Sequence, residues 1–163
     1  MKIISEENID ILNKKISNMP EEEVENLGKQ FTEEQPYLML YALLTGSNLT
    51  EDEQADLLIL AIRIWFCFSQ LSEEIIKEIK VEEIDKVQEN NEQMADYFAG
   101  EEEPDFTKSI EVMLAHYPQK YLLRYLVLEI LGEGNLALNL SVEAQGVFFM
   151  IHKVIIECLN QNS

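Results

Sequence analysis

Residues 57–68 read LLILAIRIWFCF, and this twelve-residue run is the strongest indication of the fold class. Arg63 is the only charged residue in the run, so a helix formed here would be apolar on every side. Helices of that kind belong in the interior of a protein. Crossing a bilayer as a helix takes about twenty apolar residues. We therefore interpret the run as the central helix of a bundle rather than as a membrane span.

A related apolar run returns near the end of the chain, where Phe148–Ile151 correspond to Leu57–Leu60. The correspondence extends in both directions, with an offset of 84 residues in a first stretch and 91 in a second. Tyr37-Leu38 and Tyr41 match Tyr121-Leu122 and Tyr125, whereas Asn48-Leu49-Thr50, Gln54 and Cys67 match Asn139-Leu140-Ser141, Gln145 and Cys158. These matches predict an internal pseudo-repeat with two related halves, at approximately 1–71 and 82–163.

Apolar residues recur at helical spacing along most of the chain, and no stretch alternates as a strand does. Helix starts are predicted from capping residues and prolines at Ser5, Asn18 with Pro20, Pro36, Thr50, about Val81, Asp105, Pro118 and Ser141. A short connecting helix is predicted around Ile75, Ile76 and Ile79, and a linker at Glu101–Pro104. The sequence thus predicts one all-α domain over residues 1–163, a bundle of seven or eight helices. We expect the two apolar hairpins, at 36–71 and 118–161, to lie together at its centre.

The chain carries 31 Asp or Glu against 12 Lys or Arg, for a formal net charge of −19. Nearly all of this excess lies before residue 106. Nucleic acids and anionic membranes are bound through basic patches, and the sequence has none. The charge instead favours a protein partner with a basic surface.

Residue patterns that support catalysis or metal binding are missing from the sequence. It has no Glu-x-x-His pair, no glycine-rich phosphate loop and no calcium loop, so we expect no cofactor and no metal. Cys67 and Cys158 lie in apolar runs, which predicts buried thiols in a reducing compartment. The first residues turn acidic before a signal peptide could form, and a cytoplasmic protein is expected.

Four residues form an alternative ligand-binding set between the two hairpins: Arg63, His152, Tyr41 and Tyr125. Arg63 is the charge inside the central run, and the two tyrosines occupy matching positions in the two halves. A structural interpretation competes with this one, because Arg63 could pair with Glu129 or extend its head group to solvent. Under that interpretation His152 and the tyrosines are core residues.

The helix predicted from about Val81 to Phe98 has two opposite faces. Ile84, Val87, Met94 and Phe98, with Asn91 between them, form the side predicted to be buried. Five carboxylates repeat the same spacing two residues earlier, about 200° away around the helix: Glu82, Asp85, Glu89, Glu92 and Asp96. This acidic stripe is the predicted partner-binding site, although a solvated face kept for solubility would show the same pattern.

Taken together, these patterns favour a non-enzymatic protein-interaction module: an adaptor, a chaperone-like factor or an inhibitor, with inhibition of a nuclease as a special case. The alternative is a small-ligand-binding or catalytic helical protein with its pocket between the hairpins. Helices that are apolar on all sides would also suit the seam of a homodimer.

Overall fold

Eight helices build the protein in the computed structural model, which describes the backbone of residues 1–99 and 111–163 and the side chains of 1–94 and 111–163. The helices are α1 (Glu6–Ser17), α2 (Glu21–Glu34), α3 (Pro36–Thr45), α4 (Glu51–Leu71), α5 (Val81–Ala99), α6 (helical at 111–116), α7 (Lys120–Ile130) and α8 (Val142–Gln161). The described residues contain no strand. The prediction of an all-α helical bundle is confirmed.

Most helix starts follow from the capping residues named above. The Ser5 side chain accepts the N–H of Asn8 at the start of α1, and the Ser141 side chain accepts the N–H of Ala144 at the start of α8. At the start of α4, Thr50 and Glu53 form the complete reciprocal capping box. Pro36 occupies the first turn of α3, where its missing N–H leaves no helical bond unmade.

Two local predictions are wrong. Asn18 does not cap α2: it ends α1, and Pro20 precedes α2 without any side-chain cap. Residues 72–80 do not form a connecting helix: the segment is non-helical, with a bend at residues 73–74, and leads directly into α5. Ile76 and Ile79 are buried in the core and hold the segment against the bundle, whereas Ile75 is exposed. The predicted linker at Glu101–Pro104 and the helix start at Asp105 lie outside the described residues.

The centre of the bundle is the contact between α4 and α8. Nine residues of α4 and ten of α8 are buried, compared with the single residue Phe31 in α2. Helix α1 packs on α4, and α5 packs on α8. We expected the two apolar hairpins at the centre, and the structure places their second helices, α4 and α8, there.

Helix α3 does not share this central position, although its sequence is equally apolar. Leu38, Met39 and Ala42 face the core, but Leu40 is 50% exposed and Leu44 is 65% exposed. An all-apolar sequence was therefore a poor guide to burial for a helix of only ten residues.

By length and composition alone, α4 could cross a membrane, with a mean hydropathy of 1.3 in its most apolar window. Half of that window is buried inside the protein. The packing of α4 against α1, α2 and α8 is that of the core helix of a bundle.

Candidate functional site

The acidic stripe on α5 is exposed where it can be described. Glu82, Asp85, Glu89 and Glu92 are all exposed, while Ile84 and Val87 on the opposite face are each 3% exposed. None of the four carboxylates forms an ion pair with a described residue, and the exposed Lys86 lies beyond 4.0 Å from each of them. Glu92 accepts a hydrogen bond from Gln88 at 3.2 Å.

Three residues assigned to the faces of α5 are either exposed against the prediction or have side chains outside the described residues. Met94, predicted to lie on the buried face, is 41% exposed. The side chains of Asp96 and Phe98 lie outside the described residues.

Arg63 is buried, and its hydrogen-bond partners are neutral. Its Nη1 donates to the Asn13 side-chain oxygen at 2.9 Å, and its Nη2 donates to the Ser17 hydroxyl at 3.2 Å. The Tyr125 hydroxyl donates to the same Asn13 oxygen at 3.1 Å. The Nε of Arg63 has no hydrogen-bond partner among the described residues. Arg63 and Tyr125 are thus brought together through α1.

The predicted pairing of Arg63 with Glu129 is wrong. The buried Glu129 carboxylate accepts the backbone N–H groups of Asn135 at 2.9 Å and Leu136 at 3.0 Å. It therefore closes the loop that follows α7, where backbone donors would otherwise lack partners. Gly134 is required beside it, because a Cβ atom there would collide with the carboxylate.

His152 is fully buried and lies between two backbone carbonyl groups. Its Nδ1 is 2.6 Å from the Phe148 oxygen, and its Nε2 is 3.0 Å from the Leu57 oxygen. A neutral imidazole has one N–H group and can donate to only one of them. Burial lowers the pKa of His152, although both backbone contacts favour the charged form. Both ring nitrogens are committed to helices α4 and α8, which leaves neither for a ligand.

Tyr41 lies apart from this group. Burial, the nearby Cys158 and Glu92 together raise the pKa of Tyr41 to about 12. Burial likewise raises the pKa of Tyr125, and the Glu129 carboxylate adds to that rise. The structure therefore brings together Arg63 and Tyr125 of the alternative set, but joins neither of them to His152 or Tyr41 through a hydrogen bond.

Both cysteines are free and buried, as predicted. Burial raises the pKa of the Cys67 and Cys158 thiols to about 12. Each thiol is therefore protonated at neutral pH and is a poor nucleophile. The described residues also contain no group of His, Cys, Asp and Glu side chains that could hold a metal ion.

A buried polar cluster that sequence reasoning missed lies between α5, α8 and the segment before α7. Lys153, only 4% exposed, donates to the Glu157 carboxylate and to the Asn91 side chain. Glu157 also accepts from the Tyr117 hydroxyl at 3.1 Å and from the Asn91 amide at 2.8 Å. Burial raises the pKa of Tyr117, and so does the Glu157 carboxylate. The available signal was Lys153 inside an apolar run, the same signal that singled out Arg63.

A pocket of about 200 Å³ opens beside this cluster, where residues 117–119 meet the last turns of α8. Its walls include the Tyr117 side chain, Pro118, Ile156 and the Glu157 carboxylate. No residue of the alternative ligand set lines it.

Two buried glutamines, Gln35 and Gln119, form long-range hydrogen bonds that the sequence did not predict. The Gln35 amide donates to the Lys77 oxygen at 3.0 Å and accepts the Ile79 N–H at 3.0 Å. The Gln119 amide donates to the Lys2 oxygen at 3.2 Å and accepts the Ile4 N–H at 2.9 Å. Each glutamine thus holds a non-helical Lys-x-Ile segment, and each segment leads into a helix, α5 or α1. We call residues 2–4 and 77–79 the two straps.

The fold and these contacts define an acidic all-α bundle with a buried polar cluster. Comparison with known proteins narrows the class no further: a scan against protein-family models, a search of curated proteins and a search of solved structures each returned no match.

Proposed function

We propose that the protein is a non-enzymatic interaction module that binds a partner with a basic surface through the acidic stripe of α5. The observation that carries the proposal is the exposure of Glu82, Asp85, Glu89 and Glu92 on one helix face, unpaired with any described cation. Long-range attraction from such a face accelerates encounter with a cationic partner. A cytoplasmic location is part of this proposal, because free buried thiols fit a reducing compartment.

Local stability does not explain the stripe. Carboxylates spaced three and four residues apart on a helix repel, and each such pair costs a few tenths of a kcal/mol, so the stripe weakens α5 by about 1 kcal/mol. Solubility would explain exposed charge anywhere on the surface. A solvated face kept for solubility shows the same pattern on a helix whose other face is buried, and the charge-matched variants below separate the two explanations.

We also propose that the two halves descend from one helical unit, and the straps support this proposal. Gln35 and Gln119 are 84 residues apart, the offset already noted for Tyr37 and Tyr121. Both glutamines immediately precede the first helix of an apolar hairpin, with similar backbone angles of φ −134°, ψ 60° and φ −113°, ψ 54°. Gln119 in the second half holds residues 2–4 of the first half, and Gln35 in the first half holds residues 77–79, which lead into α5 of the second half.

The alternative of a ligand pocket between the hairpins stays a prediction and receives less support. Arg63 is occupied by Asn13 and Ser17, and His152 is occupied by two carbonyl groups. A ligand would have to displace contacts that these buried groups already make.

The test of the interaction proposal compares two variants that carry the same change in charge. One neutralises the stripe, and the other neutralises four exposed carboxylates on α1 and α2. The stripe variant replaces Glu82, Asp85, Glu89 and Glu92 with glutamine or asparagine, and the control variant replaces Asp10, Glu22, Glu25 and Glu33 in the same way.

Each protein is immobilised, exposed to host lysate at low salt and eluted with a salt gradient. A partner that uses the stripe is retained by the parent and by the control, and it elutes from the stripe variant at much lower salt. Once that partner is purified, its association rate with the stripe variant should be slower and less salt-dependent. Equal retention on both variants would show that the stripe is only a solvated face.

A further inference from the structure

The pocket at the end of α8 has the size of a side-chain site. Ligand pockets for cofactors and drug-sized molecules usually have volumes of about 300 to 1,000 Å³, whereas this pocket has about 200 Å³. The exposed Gln161 and the partly exposed Asn160 border it, and Pro118 and Tyr117 make part of its wall apolar. These features suit a short aliphatic chain with a polar end.

The polar end of such a chain would meet the Glu157 carboxylate, which can accept one more hydrogen bond. Its Oε1 accepts from Lys153 and Tyr117, and its Oε2 accepts from the Asn91 amide. A carboxylate accepts about four hydrogen bonds. The Glu157 side chain is 22% exposed, and Glu157 lines the pocket.

The end of α8 adds negative potential at the same place. The unpaired carbonyl groups at a helix C-terminus act as roughly half a negative charge, and cations are stabilised there. The last turn of α8 contains no basic residue that would neutralise this end. The partly exposed Glu83 of α5 also reaches the end of α8, accepting a hydrogen bond from Asn162 at 3.0 Å.

Three lysines near the pocket work against a cation. The ammonium group of Lys2, whose backbone oxygen accepts from the pocket residue Gln119, lies 3.4 Å from Glu73. Lys153 is buried behind Glu157 and forms an ion pair with it, so the pair is neutral as a unit. Lys120 follows Gln119, and its ammonium group lies 5.1 Å from the centre of the Tyr121 ring. The attraction for a cation at the pocket therefore comes from the end of α8 and from Glu83, with Glu157 as the hydrogen-bond acceptor.

We propose that this pocket binds one lysine or arginine side chain of a basic partner, with the cation donating to Glu157 and the aliphatic stem against Pro118 and Tyr117. This site deepens the proposed function, on which it rests for the source of the cation. It lies on α8 and the segment before α7, so a partner engaged on α5 would have a second, specific contact.

The test uses Nα-acetyl-lysine amide and Nα-acetyl-arginine amide as probes, with Nα-acetyl-norleucine amide as the uncharged control. Binding is followed by NMR through the backbone amide shifts of residues 156–161, at constant ionic strength. We expect saturable shifts with both cationic probes and none with norleucine amide.

Gln161→Lys is the informative variant, because it places a cation at the border of the pocket and a lysine is favourable at a helix end. Gln70→Lys is its matched control, since Gln70 is likewise exposed in the last turn of α4 and adds the same charge elsewhere. We expect Gln161→Lys to weaken probe binding by about tenfold or more and Gln70→Lys to leave it within about twofold.

Equal shifts with norleucine amide, or equal binding by the two lysine variants, would overturn the site. Absence of saturable shifts with either cationic probe would overturn it as well. The outcome is separable from the stripe experiment, because the stripe variant on α5 keeps the pocket residues and should bind the probes. If the probes bind but no partner depends on the stripe, the site stands and the proposed function fails.

Discussion

At the scale of single residues, His152 links the stability of the fold to pH. Its pKa is lowered by burial in the folded protein, whereas an unfolded histidine titrates near pH 6.5. Below about pH 6.5 the unfolded chain therefore binds a proton that the folded protein does not, and the free energy of unfolding falls as the pH falls. The contribution is fully present above the unfolded pKa.

We predict that His152→Gln removes this acid dependence, which amounts to at most about 1.4 kcal/mol per pH unit. The measurement is urea unfolding at several pH values between about 5 and 8. His116→Gln is the control, because His116 is exposed and should leave the slope as in the parent. The same slope in both variants would show that His152 does not carry the effect.

Gly134 gives a second residue-scale prediction. A methyl group there would push the Glu129 carboxylate away from the N–H groups of Asn135 and Leu136. Gly134→Ala should therefore destabilise the protein by about 1–3 kcal/mol. Gly146→Ala should raise the free energy of unfolding by about 0.5–1 kcal/mol, because Gly146 lies inside α8 with nothing near its Cβ position. Thermal unfolding of both variants decides the matter, and a neutral Gly134→Ala would contradict the role given to Glu129.

At the scale of helices, the central position of α4 and α8 can be tested with single charges. Leu60 and Ile151 are both 0% exposed, so Leu60→Asp and Ile151→Asp each bury a carboxylate without a partner. The free energy of unfolding should fall by about 4–5 kcal/mol or more, so that the protein unfolds. Ile59→Asp, at the 40% exposed neighbour of Leu60, should keep a cooperative melt. Calorimetry that finds near-parental melting for both buried variants would contradict the architecture.

The straps give a paired prediction at the same scale. Gln35→Leu or Gln119→Leu leaves a buried N–H and a partly buried carbonyl group without their partner. Each change should lower the free energy of unfolding by about 1–3 kcal/mol, and by similar amounts if the two halves are equivalent. Gln30→Leu, on the exposed side of α2, should stay within about 0.5 kcal/mol of the parent. A loss for only one strap would argue against equivalence.

The helices were predictable from local sequence signals, whereas the tertiary hydrogen-bond partners were not. Ser5, Thr50 and Ser141 act within three residues of themselves, so the sequence alone revealed their roles. The partner of Arg63 is chosen across the bundle, where Asn13 on α1 reaches it and Glu129 is held by its own loop. Gln35 and Gln119 act across 44 and 115 residues, and no short-range pattern points to them. The exposed stripe on α5 was predictable because helical periodicity determines which residues share a face.

At the scale of the whole molecule, the net charge of −19 acts against compactness. The described residues contain four ion pairs, and three of them are between exposed side chains that contribute little. Repulsion should therefore outweigh attraction in the folded protein.

We predict that sodium chloride raises the melting temperature, because the Debye length falls from about 30 Å at 0.01 M to about 10 Å at 0.1 M. The variant that neutralises the stripe should start at an equal or higher melting temperature and gain less from salt. Differential scanning calorimetry across a salt series measures both effects. A melting temperature that falls with added salt would mean that the ion pairs dominate.

The crossed straps also impose an order on folding during synthesis. The hydrogen bonds of the Gln35 side chain form only after residues 77–79 have been synthesised. Until then α1–α4 lack these contacts. Residues 2–4 are made first, yet they dock on Gln119, across 115 to 117 positions of chain. Contacts this distant in sequence slow folding. Residues 2–4 therefore have no binding site during most of translation. The fold is complete only when they bind Gln119, just before α7.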